Sequence, residues 1–337
     1  MKKRNLLALF FLLVALFFLL FYPNKKSVPY MRNEGKIFGT FYSISYQHPD
    51  SEDLGDEVLA ELKRLDASLS IFNDSSTIAK INDNVEVDLD SLFLLMYRQA
   101  FSVSQATQGA FDITVAPLVD LWGFGRGTPK SVSSLEVDSA RLLVGYNNLK
   151  IINNRLVKPE PRMRLDASAI AKGLGVDVAL QCLKEHGCTN AMVEIGGELA
   201  CIGLNPAGQP WKIGVNKPVD DSTCTDRLME CVLHLSDVAV ATSGNYRQFY
   251  YRDGKKYAHT IDPRTGYPVN HNLLSATVIA PSCMMADAWA TAFMVLGKEE
   301  ALAMCEANPH LDCFLIYEEL DGTFATLQSS GFSRWVK

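Results

Sequence analysis

The sequence has no cysteine before Cys182, and the eight that follow (Cys182, Cys188, Cys201, Cys224, Cys231, Cys283, Cys305, Cys313) include no Cys-x-x-Cys pair. A chain of 337 residues is large enough to fold without disulfide staples. Buried free thiols are therefore expected, with Cys224 and Cys231 the one local pair that a hairpin would bring together. Basic patches are absent downstream of the N-terminus, and the net charge is a mild −6, which excludes a nucleic-acid footprint. Also missing is a small-x-small cleavage signal after the first apolar run, because Phe21, Tyr22, Pro23 and Lys25 stand where one belongs.

That run is the most conspicuous thing present. Lys2, Lys3 and Arg4 precede seventeen unbroken apolar residues, 6–22. At ~1.5 Å per residue they span roughly 26 Å, against a hydrocarbon thickness of about 30 Å. Residues 1–24 are read as an uncleaved signal anchor, with a signal peptide as the alternative, 25–35 as a linker and 36–337 as the body. The positive cluster would stay in the cytoplasm. The body then lies on the periplasmic side of the inner membrane. With 48% apolar residues it is globular, and its length suits two lobes or one large duplicated domain.

Periodicity divides the body into helices and strands. Val58, Leu62, Leu65 and Leu69 fall at helical spacing within 53–70, and a second helix covers 91–107, ending at Gly109. A third is announced at Asp166, with Asp166 or Ser168 as its cap. Gly173 and Gly175 weaken that helix, so close approach of a backbone or ligand is their expected reason. Strands are expected at 38–46, 191–195, 199–203, 211–215, 238–246, 275–280 and 313–317, and a last helix at 299–307. After Gly109 a loop enters a short extended segment. The aromatic, glycine-rich stretch 121–127 reads as a packed turn or a flat-ligand platform, and Gly196-Gly197 as a tight hairpin or an anion-binding turn.

Two stretches carry chemistry. Met285-Ala-Asp-Ala-Trp-Ala-Thr-Ala-Phe-Met294 is helical and ends at Gly297, which puts Asp287 and Thr291 on one face. A carboxylate and a hydroxyl so placed form a partial Mg2+ site, although a helix cap uses the same residue. The second stretch runs from Tyr257 to Pro268. It sets His259, Asp262, Arg264 and Thr265 together as a base, a carboxylate, a phosphate-pairing cation and a hydroxyl, or as a rigid turn.

Eight motifs in order carry a resemblance: Phe-Gly-Thr at 38, Gly-Ala-Phe-Asp-Ile-Thr-Val at 109, Trp-Gly-Phe-Gly at 122, Asp-Ala-Ser-Ala-Ile-Ala-Lys-Gly at 166, Glu-Ile-Gly-Gly-Glu at 194, Ala-Thr-Ser-Gly-Asn-Tyr at 241, His-Thr-Ile-Asp-Pro-Arg-Thr-Gly at 259 and Ala-Asp-Ala-Trp-Ala-Thr at 286. From about residue 36 to 330 the chain resembles the ApbE family of FAD:protein FMN transferases. The resemblance implies an α+β body related to the T-fold, a bound FAD, and Mg2+ at its pyrophosphate. It implies metal ligation by Asp287, Thr291 and the carbonyl of Ala169. Phe38, Phe72, Ala110, Phe111, Asp112, Asp166, Lys172 and Ile261 would line the FAD, with His259 and Arg264 catalytic at the reacting end. Many members are lipoproteins, whereas this chain has no cysteine near its N-terminus to acylate, so a protein anchor would replace the lipid. Glu194 and Glu198 stand where Asp is commoner.

The activity so implied is transfer of FMN from FAD to a Thr or Ser hydroxyl of a partner protein, with release of AMP. The partner implied is a membrane electron-transport subunit. Two other readings are an FAD pyrophosphatase, in which water replaces the hydroxyl, and a non-catalytic FAD-binding protein.

Overall fold

Successive side chains of a strand point to opposite faces of a sheet, and here eight strands join edge to edge into one whose central strands are buried on both faces. The computed structural model describes residues 28–125, 128, 131–217, 229–245, 249–252 and 255–336. Its main sheet is antiparallel throughout, in the order β1 (Met31–Ile37), β2 (Thr40–Gln47), β5 (Asn190–Ile195), β6 (Glu198–Ile202), β9 (Val238–Gly244), β12 (Leu273–Ala280), β13 (Asp312–Glu318) and β14 (Phe324–Gln328). Two short hairpins stand apart from it: β3 (Lys150–Ile152) with β4 (Arg155–Val157), and β10 (Phe249–Arg252) with β11 (Lys255–Ala258).

Period-two alternation splits the core in two. Ile44, Val193, Ala200, Ala239, Val278 and Leu315 are buried with the helices α1 (Gly55–Leu69), α3 (Ser91–Ala106), α6 (Ala171–Glu185) and α7 (Cys283–Leu296). Leu199, Cys201, Val240, Ile279 and Phe314 point the other way. They are covered by Trp211 and Leu233 of the hairpin β7 (Trp211–Asn216) with β8 (Met229–Leu235), and by Phe332 near the C-terminus. The α8 helix (Lys298–Ala307) follows α7 directly, with Gly297 at positive φ between them.

Several local expectations change in the fold. Met31–Ile37 is an edge strand, so 31–35, read as linker, belongs to the sheet. The third helix starts later than its polar residues suggested: Asp166 Oδ1 accepts from the Ser168 N–H in a preceding turn, and Ile170 precedes Ala171 with no side-chain cap. After Gly109 comes not an extended segment but a turn and α4 (Ala116–Leu121), with Pro117 in its first turn. Short helices α2 (Thr77–Asn82) and α5 (Ser134–Arg141) are further additions. Gly196-Gly197 is a two-residue hairpin turn, both residues at positive φ, with Ile195 opposite Glu198.

The anchor segment, Arg126, Gly127, Cys224 and Tyr246 lie outside the described residues. Among the described residues no helix is long and apolar enough to cross a membrane. The seven described cysteines are free, six of them buried.

Candidate active site

Helices α6 and α7 pack against each other and both lie on the sheet, α6 over β5 and β6 and α7 over β9 and β12, and the first turns of α7 carry the acidic residue singled out from sequence. The helix is capped twice without that residue's help. Ser282 accepts the Met285 N–H, and Asp177 of α6 accepts the N–H groups of Cys283 at 2.8 Å and Met284 at 2.9 Å. Burial pushes the Asp177 carboxyl up to about 6, against the pull of those two bonds. Asp287 is thus not the cap. It is 2% exposed, and its Oδ2 accepts the Gly173 N–H at 2.9 Å.

Gly173 explains itself at this contact. A Cβ there would lie 2.4 Å from the Cys283 carbonyl oxygen and 2.8 Å from Asp287 Cβ, so glycine lets α6 and α7 meet. Gly173→Ala would gain about 1 kcal/mol of helix propensity. Overpacking against a backbone carbonyl that cannot turn away opposes it with roughly 1–3 kcal/mol or more. A lower melting temperature is expected from thermal unfolding; a higher one would show that the helices separate freely.

Lys172, the residue before this glycine, turns toward the sheet, where its Nζ donates to Glu198 Oε1 at 2.6 Å. The carboxylates of Asp287 and Glu198 hold the Lys172 ammonium well above the usual lysine range, overcoming the opposing effect of its burial. Glu198 itself is raised by burial and by the charge of Asp287. Its Oε2 is buried with no hydrogen-bond partner. One turn along α7, Thr291 Oγ1 shares a hydrogen bond with Ser243 Oγ at 3.2 Å, and Thr242 pairs with Thr277 at 2.9 Å.

A cavity of about 530 Å³ opens over Lys172, Glu198, Thr242, Ser243 and Thr291, within the usual range for a small-molecule site. Ala110 and Phe111, both buried, form part of its wall with Ile261. Asp112 lines it too, with its carboxylate engaged by Thr114 and the Tyr146 N–H; burial raises that carboxyl. Asp166, Ala169, Lys172 and Thr291 complete the floor side. His259, just past β11, also lines the cavity, with its ring edge-on to Phe124 at 6.4 Å. Phe72 sits at the mouth, 86% exposed. A larger groove of about 1240 Å³ runs along α1 and α6, but it gathers none of the residues singled out from sequence.

The sequence matches the ApbE family over residues 38–315. The chain belongs to the ApbE family. It is 38% identical over 311 residues to the FAD:protein FMN transferase of Vibrio cholerae, covering 90% of this chain and 91% of that one. Its fold matches the flavin transferase ApbE from Vibrio cholerae with a TM-score of 0.81 at 36% identity, covering 91% of this chain and 99% of that one. It also matches the apo form of the Pseudomonas stutzeri flavinyl transferase ApbE, with a TM-score of 0.82 at 33% identity, covering 91% and 97%.

Within this ApbE fold three site residues singled out from sequence are not among those lining the cavity: Asp287, buried behind Lys172 and Thr291 against the Gly173 N–H, and Phe38 and Arg264. Phe38, at positive φ in the β1–β2 turn, packs its ring against Gly175, where a Cβ would lie 2.8 Å from it. The ring therefore accounts for the second helix glycine. Arg264 forks onto Asp262, Nε to Oδ1 and the second nitrogen to Oδ2, both at 3.0 Å, and is not among the cavity-lining residues. The aromatic stretch divides: Trp122 is a packed turn residue donating to the Gly266 carbonyl, while Phe124 and Gly125 reach the cavity. Glu198, Thr242 and Ser243 line the cavity without having been singled out as site residues. Their signals were a charge straight after Gly-Gly and a Thr-Ser-Gly strand end.

The donors at the floor fit a hard divalent cation. They are all oxygens, and among the described residues no group of three or more His, Cys, Asp or Glu is placed to hold a metal. One carboxylate with hydroxyls suits Mg2+, which fills its shell from substrate phosphates and water. The buried Glu198 Oε2, on a carboxylate paired with Lys172 through its other oxygen, has no hydrogen-bond partner.

Proposed function

We propose that this chain transfers FMN from FAD to a Thr or Ser hydroxyl of a partner protein, with Mg2+ at the Asp287 site and AMP as the product released. The observation that carries the reading is Asp287: buried, relieved of capping, and grouped with the Thr291 and Ser243 hydroxyls beside a cavity with an aromatic and aliphatic wall. Ala110, Phe111 and Ile261 offer the flavin an apolar surface. Lys172 offers its ammonium to the diphosphate. Asp287, Thr291 and the Ala169 carbonyl would hold the cation, which when bound supplies positive charge where the diphosphate gains negative charge.

His259 is the candidate base, since it lines the cavity beside Phe124 and belongs to the side-chain type that titrates near neutrality. It takes the proton of the acceptor hydroxyl as that oxygen bonds to the FMN phosphorus and the phosphorus–oxygen bond to AMP breaks. Arg264, forked onto Asp262, stiffens the loop behind His259 rather than meeting phosphate.

Mixing the purified protein with FAD, Mg2+ and a candidate acceptor tests the reading. AMP with flavin-labelled acceptor is expected. AMP with free FMN would make the protein a pyrophosphatase, and no AMP would leave it a binder of FAD.

The N-terminal segment places the catalytic body on the periplasmic face of the inner membrane, beside membrane electron-transport subunits as acceptors. Its run of apolar residues and missing cleavage signal support retention. Mass analysis of the membrane-extracted protein should find residues before Pro23. A mature soluble form starting near Asn24 would refute the anchor.

A further inference from the structure

Three charged side chains meet at the floor, and their arrangement is more specific than stability requires. The Lys172 ammonium is bonded to Glu198 Oε1 at 2.6 Å and is drawn also to Asp287. The backbone fixes how near that second anion is, because the very next N–H, that of Gly173, is bonded to Asp287 Oδ2 at 2.9 Å. Glu198 has a side chain 6% exposed and keeps one oxygen without a partner. Burying such an oxygen without a partner is unfavourable, so the pair is not explained by stability alone.

With both carboxylates ionised, the two of them and one ammonium carry one net negative charge. Asp287 is the anion a divalent cation would take, and Lys172 is a resident rival for it. An ammonium that paired with Asp287 would have to be displaced before any ion entered. Glu198, directly across from α6 on β6, holds that ammonium to one side.

We propose that Glu198 sets the divalent-cation affinity of the Asp287–Thr291 site by keeping the Lys172 ammonium off Asp287, a role that rests on the reading of that site given above. Glu198 touches Lys172 and is a positioning residue. Its effect therefore passes wholly through Lys172, which separates it from a cation ligand and from a charge acting at a distance.

The test is Mn2+ binding to the full-length, FAD-free protein, read as free Mn2+ by electron paramagnetic resonance, in a double-mutant cycle. With Lys172 present, Glu198→Gln should weaken Mn2+ binding by about tenfold or more, because the ammonium then faces Asp287 as its one full anion. With Lys172→Met in place, the same Glu198→Gln change should matter by less than about threefold, since no rival remains. Lys172→Met alone should tighten binding.

An equal loss in both backgrounds would overturn the proposal and make Glu198 a ligand or a distant charge. No loss in either would leave it a structural partner and overturn the proposal equally. Thermal unfolding checks that each variant folds. Should Glu198→Gln not fold, Lys172→Met alone decides, because affinity at or below wild type contradicts a rival lysine. Asp287→Asn in the same titration keeps the two levels apart. If it binds Mn2+ as wild type does, or if wild type binds none, the cation site itself is refuted, whatever Glu198 does.

Discussion

Asp287→Asn should leave the fold standing and lower AMP release from FAD by on the order of a thousandfold or more at low Mg2+. Asparagine keeps the side-chain shape and an oxygen for the Gly173 N–H, so the contact between α6 and α7 survives. What it loses is the full negative charge beside Thr291. The helix does not depend on that charge, because Ser282 and Asp177 cap it. A melting temperature near wild type together with collapsed activity, partly restored by high Mg2+, is the expected pair of results. Wild-type activity across the Mg2+ titration would remove Asp287 from the metal site and with it the proposed route of charge stabilisation.

His259→Ala should slow single-turnover transfer by about a hundredfold to ten-thousandfold, the usual contribution of a positioned base. FAD binding should change little, since Ala110, Phe111, Ile261 and Lys172 line the cavity independently of His259. The two outcomes are read separately, binding by quenching of flavin fluorescence and transfer by the label on the acceptor. An unchanged single-turnover rate would take His259 out of the proton transfer. A lost binding signal would recast it as part of the flavin's wall beside Phe124.

Elements whose signal is local were legible from the sequence. The apolar spacing of Val58, Leu62, Leu65 and Leu69 gave α1, and all four side chains are buried. Asp287 and Thr291 sit on one face of α7 because four residues make about one turn of any α-helix. Gly297 stops that helix at positive φ. Strands β5, β6, β9, β12 and β13 lie within a residue or two of their expected places. The helices that were missed, α2, α4 and α5, are six to eight residues long, too short for a periodic pattern to declare itself, and strands β3, β4, β8, β10 and β14 were missed as well. The edge strand β1 is charged and half exposed, so it carries no clear alternation of apolar residues.

By itself, then, the sequence determined which residues could do chemistry and which segments would be helix or strand, since both depend on side-chain type and on neighbours a turn away. It also determined, through ordered motifs, the family to which those segments belong. Only the tertiary structure decided which of those residues meet. Whether Arg264 faces a phosphate or Asp262, and whether Phe38 lines the cavity or packs on Gly175, depends on the direction in which a loop leaves its strand. Glu198 and Lys172 are 26 positions apart, and their ion pair exists because β6 lies beneath α6 in the folded sheet. A contact of that kind has no period along the chain, so nothing in the local pattern of either residue announces it.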